Sequence, residues 1–240
     1  MTLELKNVSK HYKKKSALDG FTYSFSNGIY ALLGPNGAGK STLMNIIAGV
    51  IGADTGSGIF LGDKSIDVLG DEYRSHIGFM PQKSALIDSF SALRFMKYIS
   101  GLKGLKNTDS EIADLLRKVE LYENRNEKCG GFSGGMKQRL MLAQAMLGSP
   151  DILILDEPTA GLDPRQRVIF RNMMREYAEN NTVIVSTHIV SDIEAQADNI
   201  IIMRAGKITA SGSNSGLLEQ YGCSGLEELY MKLFGEKDDT

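Results

Sequence analysis

The segment Gly34-Pro35-Asn36-Gly37-Ala38-Gly39-Lys40-Ser41-Thr42 constrains this chain more than any other, because it fills the pattern G-x-x-x-x-G-K-[ST] at every fixed position. Its glycines carry no side chains to hold phosphate oxygens away from backbone N–H groups, and a helix beginning at its end adds partial positive charge. Lys40 can reach β- and γ-phosphates, and the Ser41 hydroxyl can ligate Mg2+. Such a loop needs a buried strand before it and a helix after it. The apolar run 29–33 supplies the first. Leu43, Met44, Ile46 and Ile47, at helical spacing until Gly49, supply the second.

Four more short, nearly continuous apolar runs follow at 77–80, 152–155, 182–186 and 200–203. Separated by helical stretches, they predict a parallel sheet covered on both faces. Residues 3–8 and 21–25 instead alternate apolar and polar side chains, as half-buried antiparallel strands do, and 58–62 reads as another short strand. No strand is legible between 83 and 148, so that stretch is expected to be a helical insert. Within it Thr108 and Glu111 have the spacing of a capping box ahead of Ile112, Leu115, Leu116 and Val119. Further on, Ile169, Phe170, Met173 and Tyr177 line one helix face. The expected organisation is a single domain over 1–240. Its core with the antiparallel lobe takes 1–82 and 149–210, the helical part 83–148, and a C-terminal tail 211–240.

The run 152–155 ends in Asp156-Glu157, two carboxylates at the C-terminal end of a buried strand, where ligands sit in open α/β sheets. Asp156 is suited to hold Mg2+ through a water, and Glu157 to polarise a water for in-line attack on a γ-phosphate. Between loop and strand lies Ser133-Gly134-Gly135, where Ser133 can cap a helix over 136–147. Two glycines there let that helix's positive end approach a phosphate unobstructed. Asp163, followed by Pro164, has the form of another helix N-cap.

Composition is that of an ordinary globular protein, with 42% hydrophobic and 23% charged residues. A net charge of −2 gives no bulk reason to expect a nucleic-acid partner. The cluster Lys10, Lys13, Lys14 and Lys15 reads as a solvated loop. Cys129 and Cys223 fit neither a metal spacing nor a disulfide framework, so reduced thiols in a cytosolic protein are expected. No apolar run is long enough to span a bilayer, and the N-terminus lacks signal-peptide character. Membrane work would therefore need a separate partner.

Together, residues 34–42, Ser133-Gly134-Gly135, Asp156-Glu157-Pro158-Thr159 and Thr187-His188 resemble the nucleotide-binding subunit of an ATP-binding cassette (ABC) transporter. The resemblance runs from about residue 2 to residue 210. It implies an α/β P-loop NTPase fold with a RecA-like parallel core, an N-terminal antiparallel β subdomain and an inserted α-helical subdomain. It also implies an Mg2+-dependent ATPase working as a head-to-tail dimer, with ATP on one glycine loop capped by Ser133-Gly134-Gly135 of the other subunit. Tyr12 resembles the aromatic residue that stacks on adenine. Gln82 matches the glutamine that contacts Mg2+ and the attacking water, and His188 the histidine that contacts the γ-phosphate. Asp163 falls at the dimer-contact loop.

The family's usual Leu-Ser-Gly-Gly-Gln is here Phe132-Ser133-Gly134-Gly135-Met136, and Ala160-Gly161-Leu162-Asp163 replaces the commoner Ser-Ala-Leu-Asp. Met136 removes a hydrogen-bonding side chain, while Glu157 is intact, so hydrolysis is expected. The implied partners are a membrane-spanning permease and a second ATPase subunit, identical or paralogous, on the inner face of the cell membrane. Residues 90–105, with Phe90, Leu93, Phe95, Met96, Tyr98 and Ile99, read equally as a permease contact or as core packing. Residues 95–104 and the short tail resemble bacterial ABC-2-type exporter subunits, including those for antimicrobial peptides and cell-envelope substrates. Two other readings remain open at this point: an ABC ATPase acting on nucleic acid or the ribosome, and a P-loop kinase for a small acceptor.

Overall fold

A computed structural model describes residues 1–13, 15–83, 85–187 and 190–235. Its larger sheet has six strands in the order β10-β9-β3-β8-β7-β6. They are β3 (Gly28–Leu33), β6 (Ile77–Met80), β7 (Ile152–Asp156), β8 (Thr182–Ser186), β9 (Asn199–Arg204) and β10 (Lys207–Gly212). All neighbours are parallel except β10, which runs antiparallel along β9.

The continuous apolar runs have a simple physical use. Successive side chains of a strand point to opposite faces, and each face of this sheet has its own core. Ile29, Ala31, Leu33, Leu153, Leu155, Val183, Val185, Ile200 and Ile202 enter one cluster. Tyr30, Leu32, Ile152, Ile154, Ile184, Ile201 and Met203 enter the other. Apart from the half-buried Phe79, every position in these runs is buried, and the two polar ones, Thr182 and Ser186, each have a hydrogen-bond partner.

The second sheet is antiparallel, in the order β2-β1-β4-β5. It comprises β1 (Leu3–Tyr12), β2 (Lys15–Phe25), β4 (Gly58–Leu61) and β5 (Lys64–Ser65). β1 and β2 run further than their alternating cores at 3–8 and 21–25. The extension is rich in Lys, Ser and His, and its register slips between Val8 and Lys10 and between Lys10 and His11. Helix α1 (Lys40–Ile47) lies between the sheets and contributes Leu43, Met44, Ile46 and Ile47 to their shared core. The short α2 (Ile66–Leu69) and α3 (Asp71–Ser75) lead into β6.

The opposite face is covered by α4 (Ala92–Leu102), α5 (Asp109–Lys118), α6 (Gly134–Met146) and α7 (Pro164–Ala178). Among the described residues between β6 and β7 there is no strand, only an isolated bridge between Ser91 and Lys128. No helix among the described residues is long and apolar enough to cross a membrane.

One expectation needs correction. Thr108 and Glu111 do not form a capping box. The Thr108 hydroxyl bonds Ser100 Oγ at 2.7 Å, and Glu111 Oε1 accepts from the Gly148 N–H at 2.6 Å. Tertiary partners have taken both side chains away from the helix end. In the tail, α9 (Asn214–Tyr221) and α10 (Leu226–Phe234) bury Leu217, Leu226, Leu229 and Phe234 in the helical-face core. α10 packs against α8 (Val190–Ile193) and α9. Leu229→Ala is therefore expected to lower stability by about 2–5 kcal/mol, measured by urea denaturation. An unchanged midpoint would mean that α10 is not docked.

Candidate functional site

The glycine loop occupies the turn from β3 into α1, at the C-terminal edge of the parallel sheet. Gly39 adopts φ 105° and caps α1 with no side-chain hydrogen bond, so the helix's first N–H groups stay available to an anion. A Cβ on Gly39 would collide with the Ala17 carbonyl oxygen, and one on Gly34 with that of Met203. The loop is thus wedged between β2 and β9 at positions only glycine can fill.

Lys40 is buried and folds back on its own loop, donating to Gly34 O at 2.6 Å and Pro35 O at 3.2 Å. Burial holds its ammonium below the usual lysine range, against the opposing pull of Glu157 and Asp156. An ammonium has three donors, so these two bonds leave one for a ligand.

β7 is buried along its whole length and delivers Asp156, itself 4% exposed, to the same edge. Ser186, at the end of β8, organises this corner. Its hydroxyl donates to Asp156 Oδ1 at 2.5 Å and accepts from the Glu157 N–H at 3.0 Å. Glu157 takes φ 51°, a left-handed conformation that costs a non-glycine residue roughly 1–2 kcal/mol. That turn swings the chain sharply out of the strand just as the second carboxylate is reached.

A cavity of about 280 Å³ joins these pieces. It is lined by Asn36, Gly37, Ala38, Gly39, Lys40, Ser41 and Thr42 of the loop and helix start, by Gln82 beyond β6, and by Asp156 and Glu157. Tyr12, Lys15 and Ala17 of the β1–β2 hairpin close the other side. Tyr12 is 48% exposed. The strand end that carries it is tied down by Asp54, whose Oδ2 accepts from the His11 N–H at 2.8 Å and lies 2.7 Å from His11 Nδ1. Those bonds hold the Asp54 carboxyl below the usual carboxylate range. Ser41, Gln82 and Asp156 offer hydroxyl, amide and carboxylate oxygens, a hard donor set that fits Mg2+ shared with phosphates and water.

Other expected residues lie outside the cavity. Gly34 and Pro35 contribute only the carbonyls that hold Lys40. Ser133 caps α6, accepting from the Met136 N–H at 3.2 Å, and both Ser133 and Gly134 are exposed. The two glycines have different reasons. Gly134 faces open space, whereas a Cβ on the buried Gly135 would run into the Gln166 side chain of α7. Gly135 therefore has a packing reason inside one chain, and unobstructed approach rests on Gly134. Asp163 caps α7, with Oδ1 accepting from the Gln166 N–H at 2.8 Å. His188 lies outside the described residues, as does Lys14.

Three residues of the site escape a reading of the sequence: Lys15, Ala17 and Ser186. The first two lie on one face of β2 because they are two apart, and Lys15 pairs in register with Tyr12. Ser186 looks like the polar end of an apolar strand.

The protein-family profile of the ABC transporter matches residues 18–160. The chain belongs to the ABC transporter family. It is 38% identical over 221 residues to the uncharacterized ABC transporter ATP-binding protein YxlF of Bacillus subtilis (strain 168), covering 91% of this chain and 73% of that one. It is 34% identical to the linearmycin resistance ATP-binding protein LnrL of the same organism, covering 92% and 72%. It spans only 26% of a longer relative, ABC transporter A family member 11 of Dictyostelium discoideum, at 35% identity and 90% of this chain. Among solved structures, an ATP binding subunit of an ABC transporter superposes with a TM-score of 0.87 at 28% identity, over 97% of this chain and 99% of that one. A bacterial ABC transporter cassette solved as a dimer gives 0.79 at 26%, over 88% and 98%. This ABC cassette is thus an ATP-binding ATPase whose cofactor is Mg2+.

Because Ser186 serves two groups at the carboxylate edge, Ser186→Ala should leave the buried Asp156 short of a donor. The expected cost is about 1–3 kcal/mol, read by chemical denaturation of the nucleotide-free protein. A stability equal to that of the parent would remove Ser186 from this role.

Proposed function

We propose that this chain is the motor subunit of a membrane exporter and that it hydrolyses ATP between two cassettes. The observation that carries the reading is the division of the machinery. The glycine loop, Gln82, Asp156 and Glu157 share one cavity, while the Ser133-Gly134 end of α6 is exposed outside it. An exposed helix N-terminus without a side chain at Gly134 suits capping of a γ-phosphate held by another subunit. The dimeric state of the similar bacterial cassette supports that arrangement. Asp163, exposed at the start of α7, adds a contact beside it.

The roles follow from placement. Tyr12 offers its ring to adenine. The N–H groups of 36–42 cradle the phosphates, and Lys40 exchanges a loop carbonyl for a β- or γ-phosphate oxygen. Mg2+, held by Ser41, Gln82 and Asp156, would offset charge on the β- and γ-phosphate oxygens. Glu157 orients a water and takes up its proton as the water attacks in line, with Gln82 beside it; the role of His188 at the γ-phosphate rests on the family resemblance alone.

Coupling to a permease is supported by a groove of about 710 Å³ between the two halves of the chain. Ile99, Leu102 and Lys103 on one side face Arg74, Ile77 and Phe79 on the other. Leu102 is 67% exposed there. Such a groove suits an apolar helix of a membrane partner, and would hold the subunit on the inner face of the cell membrane. The name of LnrL, linearmycin resistance, favours export of a drug or antimicrobial peptide.

Glu157→Gln is expected to reduce turnover by about 10²–10⁴-fold while trapping an ATP-bound dimer, since the phosphate cradle is untouched. Light scattering in saturating Mg-ATP checks this, and a persistent monomer counts against the shared site. Met136→Gln should tighten the same dimer by restoring a hydrogen-bonding side chain, and unchanged dimerisation would dismiss that role.

A further inference from the structure

We infer that Lys15 is a second phosphate-binding lysine, meeting the nucleotide's polyphosphate from the β1–β2 hairpin while Lys40 meets it from α1. The inference rests on the reading of the cavity as the ATP site and adds a residue to it.

Four observations carry it. Lys15 lines the cavity together with Tyr12, Ala17 and Gly37. Its ammonium hangs over the glycine loop: a Cβ placed on Gly37 would lie 3.7 Å from Lys15 Nζ. Next, among the described residues the Lys15 ammonium has no hydrogen bond or ion pair, its pairing with Tyr12 being through the backbone. Lys10 of the same hairpin, by contrast, donates to Gly52 O at 2.6 Å and sits 3.8 Å from Asp54. One lysine is occupied by its own chain; the other is aimed at the loop and unoccupied.

The last observation is electrostatic. The ionised groups lining the cavity are Lys15, Lys40, Asp156 and Glu157, two cations against two carboxylates, which sum to zero. Without Lys15 the same lining would carry one net negative charge and repel a polyanion. Lys40 is in addition buried and held by loop carbonyls, so Lys15 is the more adaptable cation. Its position as the register partner of Tyr12 means that one hairpin step presents both a ring for the base and a charge for the phosphates.

The test uses the full chain and Mg-ATP, with affinity measured by titration calorimetry at low and high salt for the parent, Lys15→Met and Lys15→Arg. Lys15→Met keeps an unbranched apolar stem and removes the charge. It is expected to bind ATP about tenfold more weakly, as loss of a charge-assisted hydrogen bond predicts, and with a shallower salt dependence. Lys15→Arg should stay within about twofold of the parent, because a guanidinium still pairs with phosphate. Parent-like affinity in Lys15→Met would overturn the inference. So would equal weakening in both variants, which would assign Lys15 a role in shaping the hairpin. If the parent itself failed to bind Mg-ATP, the reading of the cavity would fall first, and that result is separate from either.

Discussion

Three stretches of backbone meet at one point behind the nucleotide cavity, and their closeness sets the geometry of everything in front. They are the glycine loop, the start of β2 at 17–19, and the β9–β10 turn at Ala205-Gly206. The Gly206 N–H donates to Ala38 O at 2.9 Å, and the Asp19 N–H donates to Gly206 O at 3.1 Å. Side chains at Gly34, Gly39 or Gly206 would each strike backbone of a neighbouring segment. The junction also joins the two sheets. The antiparallel sheet brings Tyr12 and Lys15, the parallel sheet brings Asp156, α1 brings Lys40, and their spacing is set by main-chain contacts that no rotamer change can relax.

In front of that junction the charges are arranged to be exchanged. Lys40 is held by carbonyls, weaker partners for an ammonium than phosphate oxygens would be. Asp156 is held by a neutral hydroxyl that keeps it oriented without neutralising it. Buried charges of this kind are costly when unpaired, so each has a modest partner that a better one can replace. Asp156 stands on a fully buried strand, whereas Tyr12 and Lys15 stand on a hairpin whose register already slips twice near its tip.

How much of this was legible in the sequence depended on whether the cause was local. The glycine loop, the five parallel strands and the caps at Ser133 and Asp163 are written in contiguous residues, and the structure has them. Thr108 and Glu111 had the right spacing for a local motif, yet Ser100 and Gly148 engaged them across a helix boundary. Lys15 and Ser186 became visible only through pairing, the one opposite Tyr12 and the other beside Asp156. Gly135 is the reverse case: its motif was clear, but its reason lay in Gln166, distant in sequence and adjacent in space. The β9–β10 hairpin turns on Ala205 and Gly206, both at positive φ, and only the glycine advertises that conformation.

The contact between Gly135 and Gln166 has a mechanical consequence. Helix α6 carries the exposed Ser133-Gly134 end, and α7 begins at Pro164 behind its cap Asp163, six residues beyond the carboxylate Glu157. Because the Gln166 amide fills the space a methyl group would need, the tip of α6 is keyed to the first turn of α7 like a pin in a slot. The starts of the two helices therefore share one packed contact with no linker between them. A side chain at position 135 would have to displace Gln166 and part the two helix starts.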